Sequence, residues 1–270
     1  MITATLDRFG RFGKFIWSGW AGLAGLSLLA ALWQMGHDIY GDFILPAPLA
    51  TFSTVISLLQ DPEAIEISLK TAGRALKGFF LAALIGGTAG VIAGYSLATL
   101  RVVRPVLTVV LGVPPIAWVV LAMIWFGSTD GTIVTTVIVA SMPIIFAGAA
   151  EGIATRDRGL DDMARAFGAG PIMRVWTIGL RHLSAHFFPA LILAVGMAFK
   201  VAVMAELLTS TGGIGGALAH ARSNLDMTVA LAWILIAIIA LIIVEYAMIH
   251  PVRAELERWR EAAKPWGVKR

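Results

Sequence analysis

Two ionisable residues interrupt an otherwise apolar run at 187–208, Lys200 and Glu206. A cation at the middle of a hydrocarbon-length segment is costly, and such groups usually face a bundle interior or an aqueous path. Lys200 therefore reads in one of two ways. It is half of an ion pair with Glu206 or Glu245, or it lines a path that favours an anionic solute. Lys200 and Glu206 lie on different faces of a single helix, so pairing them needs a bend or a second helix. The segment after Glu206, Thr209–Leu218, reads TSTGGIGGAL. It lacks the strand context of a dinucleotide loop, and it reads as an irregular turn with a gate or seam role. His182 and His186 share one helical face, but HLSAH lacks the glutamate of HExxH and a third ligand, so no metal is expected. No Ser/His/Asp set, paired-carboxylate site or GxxxxGK[ST] loop occurs. No catalytic residue and no cofactor is assigned to this chain.

The elements that must position these residues are apolar. The chain of 270 residues is 58% hydrophobic and 14% charged, with mean hydropathy +0.83. Soluble domains are roughly 45–50% apolar and about 25% charged, so this chain belongs in a bilayer, in contact with lipid. The absence of cysteine excludes a disulfide framework and Cys-based zinc or redox sites. The formal charge of +4 is assigned to loops at one membrane face, and no nucleic-acid partner is expected. The first apolar run, Phe15–Gly36, is too long for a signal-peptide core and reads as a retained span.

A spanning helix needs about 20 apolar residues. Six segments qualify: 16–36, 76–98, 105–127, 131–150, 186–208 and 227–249. With the N-terminus inside, 16 of the 21 Lys and Arg residues fall on the inner side. Both termini are then cytoplasmic by the positive-inside bias. The domain reading is a cytoplasmic segment 1–15, a transmembrane domain 16–250 and a cytoplasmic tail 251–270. The outer loop 37–75 carries a short helix near 49–59. Gly86, Gly90 and Gly94 form a tandem small-xxx-small pattern, read as close helix packing. Pro114-Pro115 breaks the hydrogen-bond ladder of the third span. It is either a structural kink or a flexible point on a pathway-lining helix. Trp118 follows as a packing residue or pathway contact, and Trp125-Phe126 as an interfacial belt.

One stretch, Asp161–Leu183, is too polar for lipid and must lie in water. Asp161 and Asp162 suit a helix N-terminus, and Gly168 and Gly170-Pro171 suit its end. Between them Met163, Ala164, Ala166 and Phe167 give a small apolar surface flanked by Arg158, Arg165 and Arg174.

These residues carry a resemblance. The chain resembles the integral membrane permeases of binding-protein-dependent ABC importers, specifically the sulfonate/taurine/nitrate-type subgroup, over roughly residues 40–260. The family motif reads E-A-A, three residues, G, nine residues, I-x-L-P. Here Asp162-Met163-Ala164, Gly168 and Ile178-Gly179-Leu180 stand in its places, with Arg181 replacing the proline. ILPAP at 44–48, VPPIAWVVLAMIWFG at 113–127 and AELLTSTGGIGGAL at 205–218 fit the same subgroup.

The resemblance implies an all-α fold of type I importer architecture, with six transmembrane helices and a cytoplasmic coupling helix at about 159–170. It implies ATPase coupling through Asp161, Asp162, Met163, Ala164, Arg165, Phe167 and Gly168. It also implies a pathway near Lys200, Pro114, Pro115, Trp118 and Glu206. The implied partners are a second permease copy, as a homodimer, two cytoplasmic ATP-binding subunits that bind the ATP, and a periplasmic or extracellular solute-binding protein. The implied location is the bacterial inner membrane. The implied solute is a small anion such as a sulfonate, nitrate or related oxyanion. The alternative is an ion-gradient-driven secondary transporter or channel without an ATPase.

Overall fold

In chain order the helices are α1 (Ile2–Tyr40), α2 (Pro48–Gln60), α3 (Pro62–Gly94), α4 (Leu97–Gly112) and α5 (Pro115–Phe126), then α6 (Asp130–Ala154) and α7 (Arg158–Ala166). They continue with α8 (Pro171–Arg174), α9 (Leu180–Thr209), α10 (Gly213–Ser223) and α11 (Met227–Ala262). These come from a computed structural model that describes residues 2–156, 158–174 and 179–262. Ile178 of the expected motif and the last eight residues of the expected tail lie outside the described residues.

Among the described residues four helices are long and apolar enough to cross a membrane: Pro62–Gly94, Asp130–Ala154, Leu183–Thr209 and Met227–Ala247. The expected run 16–36 falls within α1. The expected third span is not one continuous helix. Ala98–Gly112 and Pro115–Phe126 meet at 90°. The cause is local. Pro114 and Pro115 remove two successive donors, and each forces the residue before it out of the helical region. Val113 (φ −80°, ψ 124°) and Pro114 (φ −58°, ψ 139°) are accordingly extended, and Pro115 opens α5 at a position where its missing N–H costs nothing.

The core is a three-helix contact of α3, α6 and α9, to which α10 and α11 add. Gly86, Gly90 and Gly94 make the α3–α6 seam. A Cβ at these positions would lie 2.7, 2.5 and 2.8 Å from the carbonyl oxygens of Met142, Phe146 and Ala150. Three glycines four residues apart thus lie on three carbonyls four residues apart, and both series rise together, so α3 and α6 run parallel. Gly148 does the same between α6 and α9, where an added Cβ would lie 2.3 Å from Ala190 Cβ. Small residues permit this approach where lipid gives no hydrophobic drive between helices. Phe79, Ile133, Val137 and Ile145 fill the centre.

Two further boundaries differ from the sequence reading. α3 begins fourteen residues before 76, where Asp61 accepts the Glu63 N–H as an N-cap and Pro62 occupies the first turn. The glycine-dense loop after α9 is mostly a helix, α10. α2 lies where a short helix was expected. α1 meets the segment leading into α2 through the Trp33 indole N–H, which donates to the Pro46 carbonyl at 3.0 Å, and α2 itself through the Trp33–Phe52 ring contact.

Candidate functional site

Four places hold the residues singled out from sequence, the fourth being the α4–α5 break. At one end of the core, Glu206 of α9 is 0% exposed. Its carboxylate accepts from Arg74 Nη1 at 2.7 Å, from Thr71 Oγ1 at 2.8 Å and from the Gly215 N–H at 3.1 Å. Arg74 also donates to the carbonyls of Gly212 at 3.0 Å and Thr211 at 3.1 Å, and its Nη2 pairs with Asp130 at the start of α6. Thr71 Oγ1 accepts the Ile214 N–H at 2.8 Å. A buried carboxylate and hydroxyl therefore cap the N-terminus of α10, where orphan N–H groups and the helix dipole favour negative charge.

This geometry explains the glycines of TSTGGIGGAL. Gly212 and Gly213 have φ of +71° and +84°, a conformation that side chains disfavour. A Cβ on Gly213 would sit 2.3 Å from Glu206 Oε1, and one on Gly215 would sit 2.1 Å from the Val203 carbonyl. The loop is a tight wrap around a carboxylate. Glu206 is among the expected pathway residues and, with Glu245, one of the two candidate ion-pair partners of Lys200. It presents no surface here, and its partner is Arg74 on α3. Arg74 precedes the expected second span, 76–98, and its position in the sequence assigns it no role. The usable signal was the helical spacing of Thr71 and Arg74 together with a carboxylate that needed a counter-ion.

At the other end of the core, α7 carries the expected docking residues. Leu160, Met163 and Phe167 follow the i, i+3, i+7 spacing that places them on one side of the helix, and they are 44%, 52% and 85% exposed. Asp162 and Arg165 are exposed, and Ala164 is half-buried. The helix ends in a Schellman arrangement. The Ala169 N–H reaches the Ala164 carbonyl at 2.9 Å, and the Gly168 N–H reaches the Arg165 carbonyl at 3.0 Å. Gly168 supplies the required positive φ of +79°. Arg174 Nη1 then donates to Asp161 at 3.3 Å, so the returning chain is pinned beside the first turn of α7. At the junction before α7, the Arg156 guanidinium lies 4.7 Å over the Tyr95 ring at the end of α3.

The third place is the groove between α9 and α11. Lys200 is exposed there, beside an apolar cavity of about 260 Å³ whose walls include Phe199, Val203, Trp233 and Ile238. Pro114 is exposed, while Pro115 and Trp118 are half-buried at the α4–α5 break. Lys200 and Glu206 are not brought together, and the α4–α5 break contributes no residue to the walls of the Lys200 cavity. Among the described residues no group of three or more His, Asp or Glu is placed to hold a metal ion.

A bundle of apolar helices, one end locked by buried charge and the other bearing a polar helix with an exposed apolar stripe, is the architecture of an integral membrane protein. Residues 73–250 match the family described as binding-protein-dependent transport system inner membrane component, and the chain belongs to that family. It is 24% identical over 223 residues to the taurine transport system permease protein TauC of Escherichia coli, covering 80% of this chain and 81% of TauC. It is 26% identical over 202 residues to the nitrate import permease protein NrtB of Synechococcus elongatus, covering 70% and 71%. The subgroup resemblance of the sequence agrees with these relatives. The fold matches a chain of the inward-facing MetNI methionine ABC transporter with a TM-score of 0.57 at 17% identity, covering 72% of this chain and 98% of that one.

Proposed function

We propose that the chain is the permease subunit of an ATP-driven importer and passes a small anionic solute across the bacterial inner membrane. The observation that carries this reading is α7. Met163 and Phe167 of its apolar stripe are exposed, yet its end is fixed by a Schellman turn and the Asp161–Arg174 pair. A rigid helix with exposed Phe167 and Met163 suits a groove on a separate ATPase, because the chain has no phosphate loop of its own. Two copies of the chain, two ATP-binding subunits and an external solute-binding protein complete the assembly. The reading keeps six spans, with α1 as the first and the bent α4–α5 pair as the third, and both termini in the cytoplasm.

In this reading ATP-driven closure of the ATPases moves α7, and Arg156 on Tyr95 carries that motion to the end of α3. The Pro114-Pro115 break lets α4 and α5 swing without unfolding a helix, with Trp118 beside it. Lys200, in the α9–α11 groove, supplies positive charge for an anion such as a sulfonate, nitrate or related oxyanion. Glu206 belongs to the structural lock.

Phe167→Ala tests the docking step. The side chain is 85% exposed, so its removal should leave thermal unfolding of the detergent-extracted chain unchanged. An aromatic anchor at an interface is worth about 2 kcal/mol or more, so ATPase affinity and uptake should both fall at least about tenfold. Wild-type uptake and ATPase recovery in this variant would sink the proposal. Gly168→Ala should act in the same direction more weakly. Its Cβ meets nothing within 4 Å, and the cost is the positive φ alone, roughly 1 kcal/mol. For the solute, Lys200→Ala should lower uptake of the identified anion, and an unchanged rate would remove Lys200 from the path.

A further inference from the structure

Lys200 has a second charge near it that the reading above does not use. Glu245 lies on α11 and is half-buried. One of its carboxylate oxygens sits 2.7 Å from the point where a Cβ on Gly196 would be. Gly196 is one turn before Lys200 on the same face of α9, about 6 Å along the axis. Side chains on a helix lean toward its N-terminus, so the Lys200 stem leans toward the seat that Glu245 occupies. A lysine spans that distance with a change of rotamer. Neither residue forms a hydrogen bond or an ion pair within 4 Å among the described residues. Two opposite charges thus sit unpaired, within reach of each other, where hydrocarbon makes a lone charge expensive. Apart from Lys200, the walls of the cavity beside it are apolar.

We propose that Glu245 is the counter-charge of Lys200 within the chain, seated on Gly196, and that it positions the ammonium by exchange. With the pair closed, both charges are neutralised in the α9–α11 groove. With the pair open, as in this structure, the ammonium is free at the surface of the groove. The pairing stands on geometry alone, whereas its link to transport rests on the importer reading. Gly196 has a definite part in this: any side chain there fills the seat and pushes the carboxylate away from α9.

The test is a thermal-unfolding cycle on the detergent-extracted full chain with Lys200→Met, Glu245→Gln and the double variant. Each single change leaves one charge alone in the membrane and should lower Tm by about 5 °C. The double variant removes both charges and should recover most of the loss. Losses that simply add would overturn the pairing. If a single variant fails to fold, the chain's lack of cysteine supplies a second measurement. K200C and E245C together should be joined by a short bis-thiol reagent into a monomer-sized product in native membranes. A dimer-sized product would place the pair between two copies and overturn the in-chain assignment, as would no product. Charge exchange, Lys200→Glu with Glu245→Lys, separates pairing from transport. A near-wild-type Tm supports the pairing, and a Tm below both singles overturns it. Uptake lost at a retained Tm supports positioning of the ammonium, and uptake retained overturns that role while leaving the pair.

Discussion

Arg74→Ala should cost about 3–5 kcal/mol, the usual penalty for leaving one member of a buried ion pair alone, and lower Tm by about 10 °C. Glu206 is fully buried, so without Arg74 its charge keeps only the Thr71 hydroxyl and the Gly215 N–H. Glu206→Ala should be about as severe by a different route. It removes the cap of α10 and opens a cavity, while Arg74 retains Asp130 and the carbonyls of Thr211 and Gly212. Asp130→Asn should cost less than about 1 kcal/mol, because that side chain is 64% exposed and exposed pairs contribute little. The measurement is thermal unfolding of the three variants in one detergent. The decisive outcome is the order. If Asp130→Asn is as damaging as Arg74→Ala, the stability resides in the exposed half of the network and the buried lock is misassigned. Replacing Arg74 and Glu206 together by methionine should be milder than either alanine variant, since an apolar pair leaves no charge stranded.

What the sequence disclosed divides by how local the cause is. The stretch 158–168 was legible because its cues are neighbours in the chain: carboxylates in the first turn, an apolar stripe, and a glycine at the position that needs positive φ. The α3–α6 seam was legible for the same reason, as a four-residue glycine repeat. Pro114-Pro115 announced a break, but its 90° angle depends on two consecutive extended residues and exceeds a kink. The start of α3 was misplaced because Glu63, Glu66, Lys70, Arg74 and Lys77 dilute the apolar signal, although Asp61-Pro62-Glu63 is a good helix start. α10 was hidden by its glycines, which read as loop residues until the carboxylate they surround is in view. Arg74 was passed over because its partners, Glu206 and the 211–212 carbonyls, lie more than 130 residues away in sequence. No local pattern encodes that distance. The bias of basic residues toward one side also points to topology rather than to Arg74, which is buried.

Gly90→Leu should abolish the folded bundle, and Gly90→Ala should already cost about 1–3 kcal/mol, the range for overpacking a tight core. The reason is what the new atom meets. A Cβ at Gly90 would lie 2.5 Å from the Phe146 carbonyl oxygen and 2.8 Å from Ala149 Cβ. A backbone carbonyl inside a helix cannot rotate away without breaking that helix, so the whole of α6 must retreat. Retreat also opens the contacts of Gly86 with Met142 and Gly94 with Ala150, which share the same seam. The control lies on the same helix. Gly73 has nothing within 4 Å of an added Cβ, so Gly73→Ala meets no clash and should gain up to about 1 kcal/mol from helix propensity alone. Opposite signs for two Gly→Ala changes on one helix, read as Tm shifts in one detergent, would confirm that close approach of α3 to α6 is the reason for glycine at 90. Equal signs would mean that α3 tolerates a wider seam, and the parallel alignment of α3 and α6 would then need another cause.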